Sequence, residues 1–181
     1  DDYVLLFSKG DEVRLAAWTS ANKPRRVVIP ASSGRFKAMG WGAINAMEET
    51  YGDKGTLDPK MTRLKVIRTR EEEARRAAEI LGVKEVVYLG MADGELEGGL
   101  ELRRKFTEVL RRVRPDWVFS FDPNCPYEPH PDHVATARTI YEACFTSHFH
   151  LYYPEHRAKG LRPHYVAKLY GWSSPNPNTY I

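Results

Sequence analysis

Asp122-Pro-Asn-Cys-Pro-Tyr-Glu-Pro-His-Pro-Asp-His133, followed by Val134-Ala-Thr-Ala-Arg-Thr-Ile-Tyr-Glu-Ala-Cys144, is the stretch on which the reading of the fold turns. Upstream, Arg114-Pro-Asp-Trp-Val-Phe-Ser-Phe121 is an apolar run of strand length that ends in an Asp-Pro breaker. Downstream, apolar residues recur at Val134, Ala137, Ile140, Tyr141, Cys144 and Phe145, the spacing of a helix face. Four prolines and no glycine lie between the two, so the connection is stiff. Pro131 suits the first helical position and Asp132 the positive first turn, which puts His130 at the cap and His133 about one turn on. Loops at the carboxyl ends of strands in open α/β sheets are where ligands bind. Two histidines and an aspartate on such a loop read as a metal or proton-transfer site. The plain alternative is a well-capped surface helix. Against it, two of the chain's six histidines fall in this tetrapeptide, and the cap needs neither.

The chain's 181 residues suffice for one domain with a substantial core. Hydrophobic residues at 42% and charged residues at 28% are ordinary globular values. The net charge of +3 is spread through both halves, with only short Arg-Arg pairs, so nucleic acid is not implied. Two cysteines, Cys125 and Cys144, make no disulfide framework and suit a reducing cytoplasm. No apolar run is long enough to span a membrane and no signal peptide shows. The chain opens on Asp1-Asp2 without methionine, so an earlier segment is expected.

Tyr3-Val-Leu-Leu-Phe7 and Val13-Arg-Leu-Ala-Ala-Trp-Thr19 read as strands separated by a Lys9-Gly10 breaker. From residue 20 to 62 the pattern is poor. Val27-Val-Ile29 suggests a short strand, Ser32-Ser-Gly34 a turn, and the segment around 43–50 a helix. Residues 21–62 are therefore expected to be an insertion, either a lid-like loop or mere decoration. From 63 to 81 the helix signal is clear: Leu64, Ile67, Ala74, Ala77, Ala78 and Leu81 keep one face apolar, and Gly82 stops it. Glu85-Val-Val-Tyr-Leu89 is a buried-type strand, and residues 90–99 a loop carrying Asp93-Gly94. A helix over 100–113 follows, with Leu102, Phe106, Val109, Leu110 and Val113 inward, and then the strand at 117–121. A last strand falls within 165–172. Alternating strands and helices predict an α/β fold with a mostly parallel sheet and helices on its faces.

The chain resembles the PIG-L/LmbE family of zinc-dependent N-acetylglucosamine deacetylases, and four pieces carry the resemblance in order. These are Gly10-Asp-Glu-Val13 through Thr19; Arg70-Glu-Glu-Glu73 with Ala77 and Leu81-Gly82-Val83; Leu89 to Leu96 with Asp93; and Arg114-Pro-Asp116 through His130-Pro-Asp-His133. Within the family, Pro126-Tyr-Glu-Pro-His-Pro-Asp-His133 is most similar to the archaeal diacetylchitobiose deacetylases. The family's other signature, His-Pro-Asp-Asp, has only Asp1-Asp2 to correspond to it. The resemblance therefore implies a single deacetylase domain over 1–181, incomplete at both ends, with an LmbE-like, Rossmann-like three-layer sandwich.

The resemblance also implies roles. An amide is a poor electrophile and water a poor nucleophile at neutral pH; a Zn2+ ion with an open position addresses both. Its ligands would be Asp2, His133 and an absent histidine, and Asp1 would be the general base. His130 would stabilise the oxyanion or pass a proton to the leaving amine, with Asp132 orienting its ring. Arg70 and Asp93 would bind sugar hydroxyls; a surface ion pair and a turn former are the alternatives. A catalytic Cys125 is disfavoured, because no device that would lower its pKa is visible. The expected partner is an N-acetylated amino sugar or its conjugate, with homo-oligomerisation left open. The alternatives are a non-catalytic metal- or sugar-binding domain, and a dinucleotide binder, which lacks any Gly-x-Gly-x-x-Gly.

Overall fold

The structure is a computed structural model, and it describes residues 2–9, 12–19 and 44–178. Strands β1 (Asp2–Lys9) and β2 (Glu12–Thr19) form an antiparallel hairpin, from Asp2 opposite Thr19 to Lys9 opposite Glu12. Both expected strands fall here. The strand expected at 27–29 and the turn at 32–34 lie outside the described residues.

Residues 43–50, expected as a helix, instead supply strand β3 (Ile44–Thr50), which pairs in parallel with β4 (Val83–Met91). Ala, Met and Glu rank among the better helix formers, but intrinsic propensity is a small bias that pairing with a neighbouring strand overrides. Part of the expected 21–62 insertion, residues 44–50, therefore belongs to a sheet. Between these strands runs α1 (Arg63–Leu81), bounded as its sequence predicts. The Thr62 side chain accepts Lys65 N–H, and Gly82 closes the helix at φ 67°, a left-handed conformation open to a residue without Cβ. The expected face largely holds: Ile67, Ala74, Ala77, Ala78 and Leu81 are partly buried and Val66 joins them fully buried, whereas Leu64 is 57% exposed.

Helix α2 (Leu100–Val113) lies against α3 (Pro131–His148), and between them sits the core of Leu96, Leu102, Phe106, Leu110, Ile140 and Ala143. Phe106 is fully buried, and truncating such a side chain to Ala costs about 3–5 kcal/mol. Thr107 and Thr146 satisfy each other across the helix pair through a 2.8 Å hydroxyl contact. Helix α3 also packs on β5 (Trp117–Phe121) and β6 (Lys168–Trp172), which pair in parallel from Trp117–Lys168 to Phe121–Trp172. Arg111, almost wholly buried, ties α2 to the chain after α3. Its guanidinium donates to the carbonyls of Thr146, Ser147, Phe149, Tyr152 and Tyr153, and faces His156 Nδ1 at 3.2 Å. The α/β class and parallel pairing are as expected. Among the described residues the strands form three two-stranded sheets.

Candidate active site

Three loops leave the carboxyl ends of β3, β4 and β5 and meet. This is the edge of an α/β fold where ligands bind. The loop after β5 begins at Asp122, whose carboxylate accepts Asn124 N–H at 2.7 Å. The Ser174 side chain and Asn124 together hold that carboxyl below the ordinary carboxylate range. The loop ends at His130, the N-cap of α3, with Pro131 behind it. His130 Nδ1 accepts Asp132 N–H at 3.3 Å, so the neutral ring carries its hydrogen on Nε2. That nitrogen lies 3.5 Å from Asp93 Oδ1.

Asp93 comes from the loop after β4 and is held from the loop after β3. Lys54 N–H donates to Asp93 Oδ2 at 3.3 Å, while Asp93's own N–H donates to Asp53 Oδ1 at 2.9 Å. Lys54 Nζ reaches across to Glu95 Oε1 at 2.5 Å. Asp53 is buried and Arg63 pairs with its other oxygen. Burial alone would raise the Asp53 carboxyl, but the Asp93 N–H and the Arg63 guanidinium outweigh it and hold the pKa low.

Asp132 is buried as well, and both its oxygens are taken: Gly94 N–H donates to one at 2.6 Å and Leu96 N–H to the other at 3.0 Å. Its carboxylate stands 4.0 Å from His130 Nδ1, a nitrogen already engaged as an acceptor. Asp132 thus meets the His130 ring through its backbone N–H, while its carboxylate anchors the 93–96 loop to α3 and Asp93 Oδ1 faces the imidazole at Nε2. The sequence offered adjacency only, and the loop that claims this carboxylate lies 36 residues away.

His133 sits one turn into α3 with its ring flat between Phe121, at 4.1 Å and 15°, and His130, at 4.4 Å and 19°. Its Nδ1 is buried, lacks an aligned hydrogen-bond partner, and lies 3.1 Å from Glu128 Oε1. Arg70, on α1, donates to Glu73 Oε2 at 2.8 Å and Gly55 O at 3.2 Å. Arg70, Asp93, His130, His133, Phe121 and Trp172 line one cleft of about 440 Å³. Five of the seven expected site residues thus converge. Asp2 opens β1 and its side chain is not among those described; Asp1 lies outside the described residues. Sequence reasoning missed Asp53, Lys54, Glu128 and Trp172. The run Tyr51-Gly-Asp-Lys-Gly55 ahead of a capped helix was the available signal for the first two. Cys144, the second thiol, is pushed up to about 12 by burial, which leaves it inert.

The donor set suits a divalent cation. Among the described residues, ligand atoms of Asp93, His130 and Asp132 lie within 4.8 Å of one another, and the open imidazole of His133 adjoins them. Two of the trio are otherwise occupied: both Asp132 oxygens accept backbone N–H groups, and His130 uses Nδ1 in its cap. His133 has no such engagement.

The fold and this cleft define an α/β protein with a polar, metal-competent site at the strand ends. Residues 8–144 match the PIG-L family, described as GlcNAc-PI de-N-acetylase, and the chain belongs to that family. It is similar to a diacetylchitobiose deacetylase of Thermococcus kodakarensis, 33% identical over 132 residues, covering 73% of this chain and 49% of that protein. A solved N,N′-diacetylchitobiose deacetylase from Pyrococcus horikoshii, complexed with its inhibitor MPG, superposes with a TM-score of 0.72 at 31% identity. That superposition covers 75% of this chain and 51% of the other. A 4-oxalmesaconate hydratase of Pseudomonas putida is 29% identical over 162 residues, 80% of this chain and 62% of that protein. The chain spans about half the length of the deacetylases it matches.

Proposed function

We propose that this chain carries the site of a zinc-dependent hydrolase that removes the N-acetyl group from an N-acetylglucosamine-containing sugar, giving acetate and a free amine. The observation that carries the reading is the meeting of His130 Nε2 and Asp93 Oδ1, 3.5 Å apart, in a cleft that Arg70 and His133 also line. His133 and Asp2 would hold the metal. When bound, a zinc ion lowers the pKa of water to about 7 and polarises a carbonyl. Asp1 is assigned as the base for that water. His130, with its hydrogen on Nε2 and Nδ1 fixed by the cap, aims a donor into the cleft where the amide oxygen gains charge. Asp93 offers Oδ1 to a sugar hydroxyl and Arg70 offers guanidinium hydrogens, a pairing that suits a polyol better than apolar walls. Asp132 keeps the Asp93 loop in place with its carboxylate and orients the His130 ring through its N–H. Cys125 and Cys144 are free thiols, which supports assignment to a reducing compartment such as the cytoplasm.

The hydratase relative makes the competing chemistry explicit. The deciding experiment incubates the full-length, zinc-loaded protein with diacetylchitobiose and, separately, with 4-oxalmesaconate. Equal amounts of acetate and free amine from the sugar, abolished by a chelator, are expected. Hydration of the unsaturated acid without acetate release would replace the deacetylase reading.

A further inference from the structure

His130 and His133 are stacked 4.4 Å apart, yet their ring edges meet opposite kinds of neighbour. At His130, Nδ1 accepts the Asp132 N–H, so the hydrogen belongs on Nε2. At His133, Nδ1 faces a carboxylate oxygen, Glu128 Oε1, at 3.1 Å. A lone pair there would confront the oxygen's own lone pairs, whereas an N–H would be attracted to it. The ring has little freedom to turn away, being held between Phe121 and His130. Glu128 is held too: its Oε1 accepts the His130 N–H at 3.0 Å, its side chain is only 17% exposed, and Pro126 and Pro129 flank it in a stiff segment.

We propose that Glu128 is the positioning residue of His133: its carboxylate keeps the hydrogen on Nδ1 and so leaves the Nε2 lone pair as the ligand for a divalent cation in the cleft. The inference rests on the reading of His133 as a metal ligand. A neutral imidazole has one N–H, and whichever nitrogen loses it becomes the ligand atom. Ligating histidines characteristically donate their other N–H to a carboxylate, and removing that partner weakens metal binding. Buried Nδ1 makes no aligned hydrogen bond, and Glu128 Oε1 at 3.1 Å is the carboxylate oxygen beside it. The two stacked rings are thus set as opposite tautomers, His130 a donor and His133 a ligand, by neighbours only a few residues away.

The test uses the full-length protein and reads zinc affinity by competition with a chelating dye, without any turnover assay. Glu128→Ala is expected to weaken zinc binding by about 10–100-fold. Glu128→Gln, whose amide oxygen can still accept from Nδ1–H, is expected to stay closer to the parent. His133→Ala serves as the reference for a lost ligand. In the zinc-free parent, long-range nitrogen–proton spectra should show His133 with its hydrogen on Nδ1. Parent-like affinity in Glu128→Ala while His133→Ala has lost zinc would overturn the role of Glu128 alone. Full zinc in His133→Ala would overturn the ligand reading and this inference with it. If Glu128→Ala does not fold, the spectrum decides, and a hydrogen on His133 Nε2 refutes the proposal.

Discussion

Asp53 Oδ1 accepts the backbone N–H of Asp93 at 2.9 Å, and Lys54, next in the chain, returns a hydrogen bond to Asp93 Oδ2 at 3.3 Å. This reciprocal clasp between two strand-end loops leaves Asp93 Oδ1 directed at His130 Nε2. A carboxylate far from the candidate chemistry thereby sets the geometry of one that touches it.

Asp53→Ala leaves the Asp93 N–H without its acceptor in a buried place, at a cost of about 1–3 kcal/mol of stability. Asp53→Asn keeps an acceptor for that N–H and loses chiefly the charge pair with Arg63, so its stability should fall between parent and Asp53→Ala. Denaturant unfolding of the two variants at neutral pH measures the difference. The carboxyl's pKa is held below its ordinary 3.8 in the folded protein. Its stabilisation is therefore present above that value and is lost as pH falls through the lower folded one. The acid limb should be shallower in Asp53→Asn. Equal stability for parent, Ala and Asn variants would contradict the clasp.

Asp132→Asn should destabilise the protein even though it is nearly isosteric. The carboxylate accepts from Gly94 and Leu96 with separate oxygens, whereas an amide offers one acceptor and sets its NH2 against the other N–H. A loss of about 1–3 kcal/mol is expected. Amide hydrogen exchange at Gly94 and Leu96 should speed up at the same time. Unchanged exchange at both positions would show that Asp132 does not anchor the loop.

How much of this was legible beforehand depended on the range of the forces involved. The three helices were readable because a repeating apolar face, Gly82 as a stop and Pro131 as a start are local signals. The His130-Pro-Asp-His133 cluster was readable for the same reason. β3 was not: its Ala, Met and Glu residues look helical, and only the parallel partner β4 makes it a strand. The outward turn of Leu64 was equally hidden, because a helix's apolar stripe does not say which edge its neighbour will cover. Asp53, and the anchoring of the 93–96 loop by Asp132, were missed because the partners are 36 to 40 residues distant.

His156 gives a pH dependence away from the cleft. Burial, with the Arg111 cation beside it, lowers its pKa from the ordinary 6.5, against the opposite pull of Glu108 and Glu155. The unfolded chain thus takes up a proton first as pH falls through about 6.5, and stability drops until the lower folded value is reached. Above 6.5 this contribution is complete. Comparing unfolding free energies at pH 7.5 and 5.5 should give a smaller decline in His156→Gln than in the parent. A parallel decline in both would assign the acid sensitivity elsewhere.

On the proposed reading, His130, facing Asp93 across the cleft, assists removal of an acetyl group. The most direct measurement of this is the steady-state rate of acetate release from diacetylchitobiose by zinc-loaded parent and His130→Ala proteins, with zinc content determined on the same samples. Zinc should be retained while kcat and kcat/KM fall together by about 10²–10⁴-fold, the usual contribution of a positioned proton donor. A His130→Ala protein that releases acetate at the parental rate would contradict that reading.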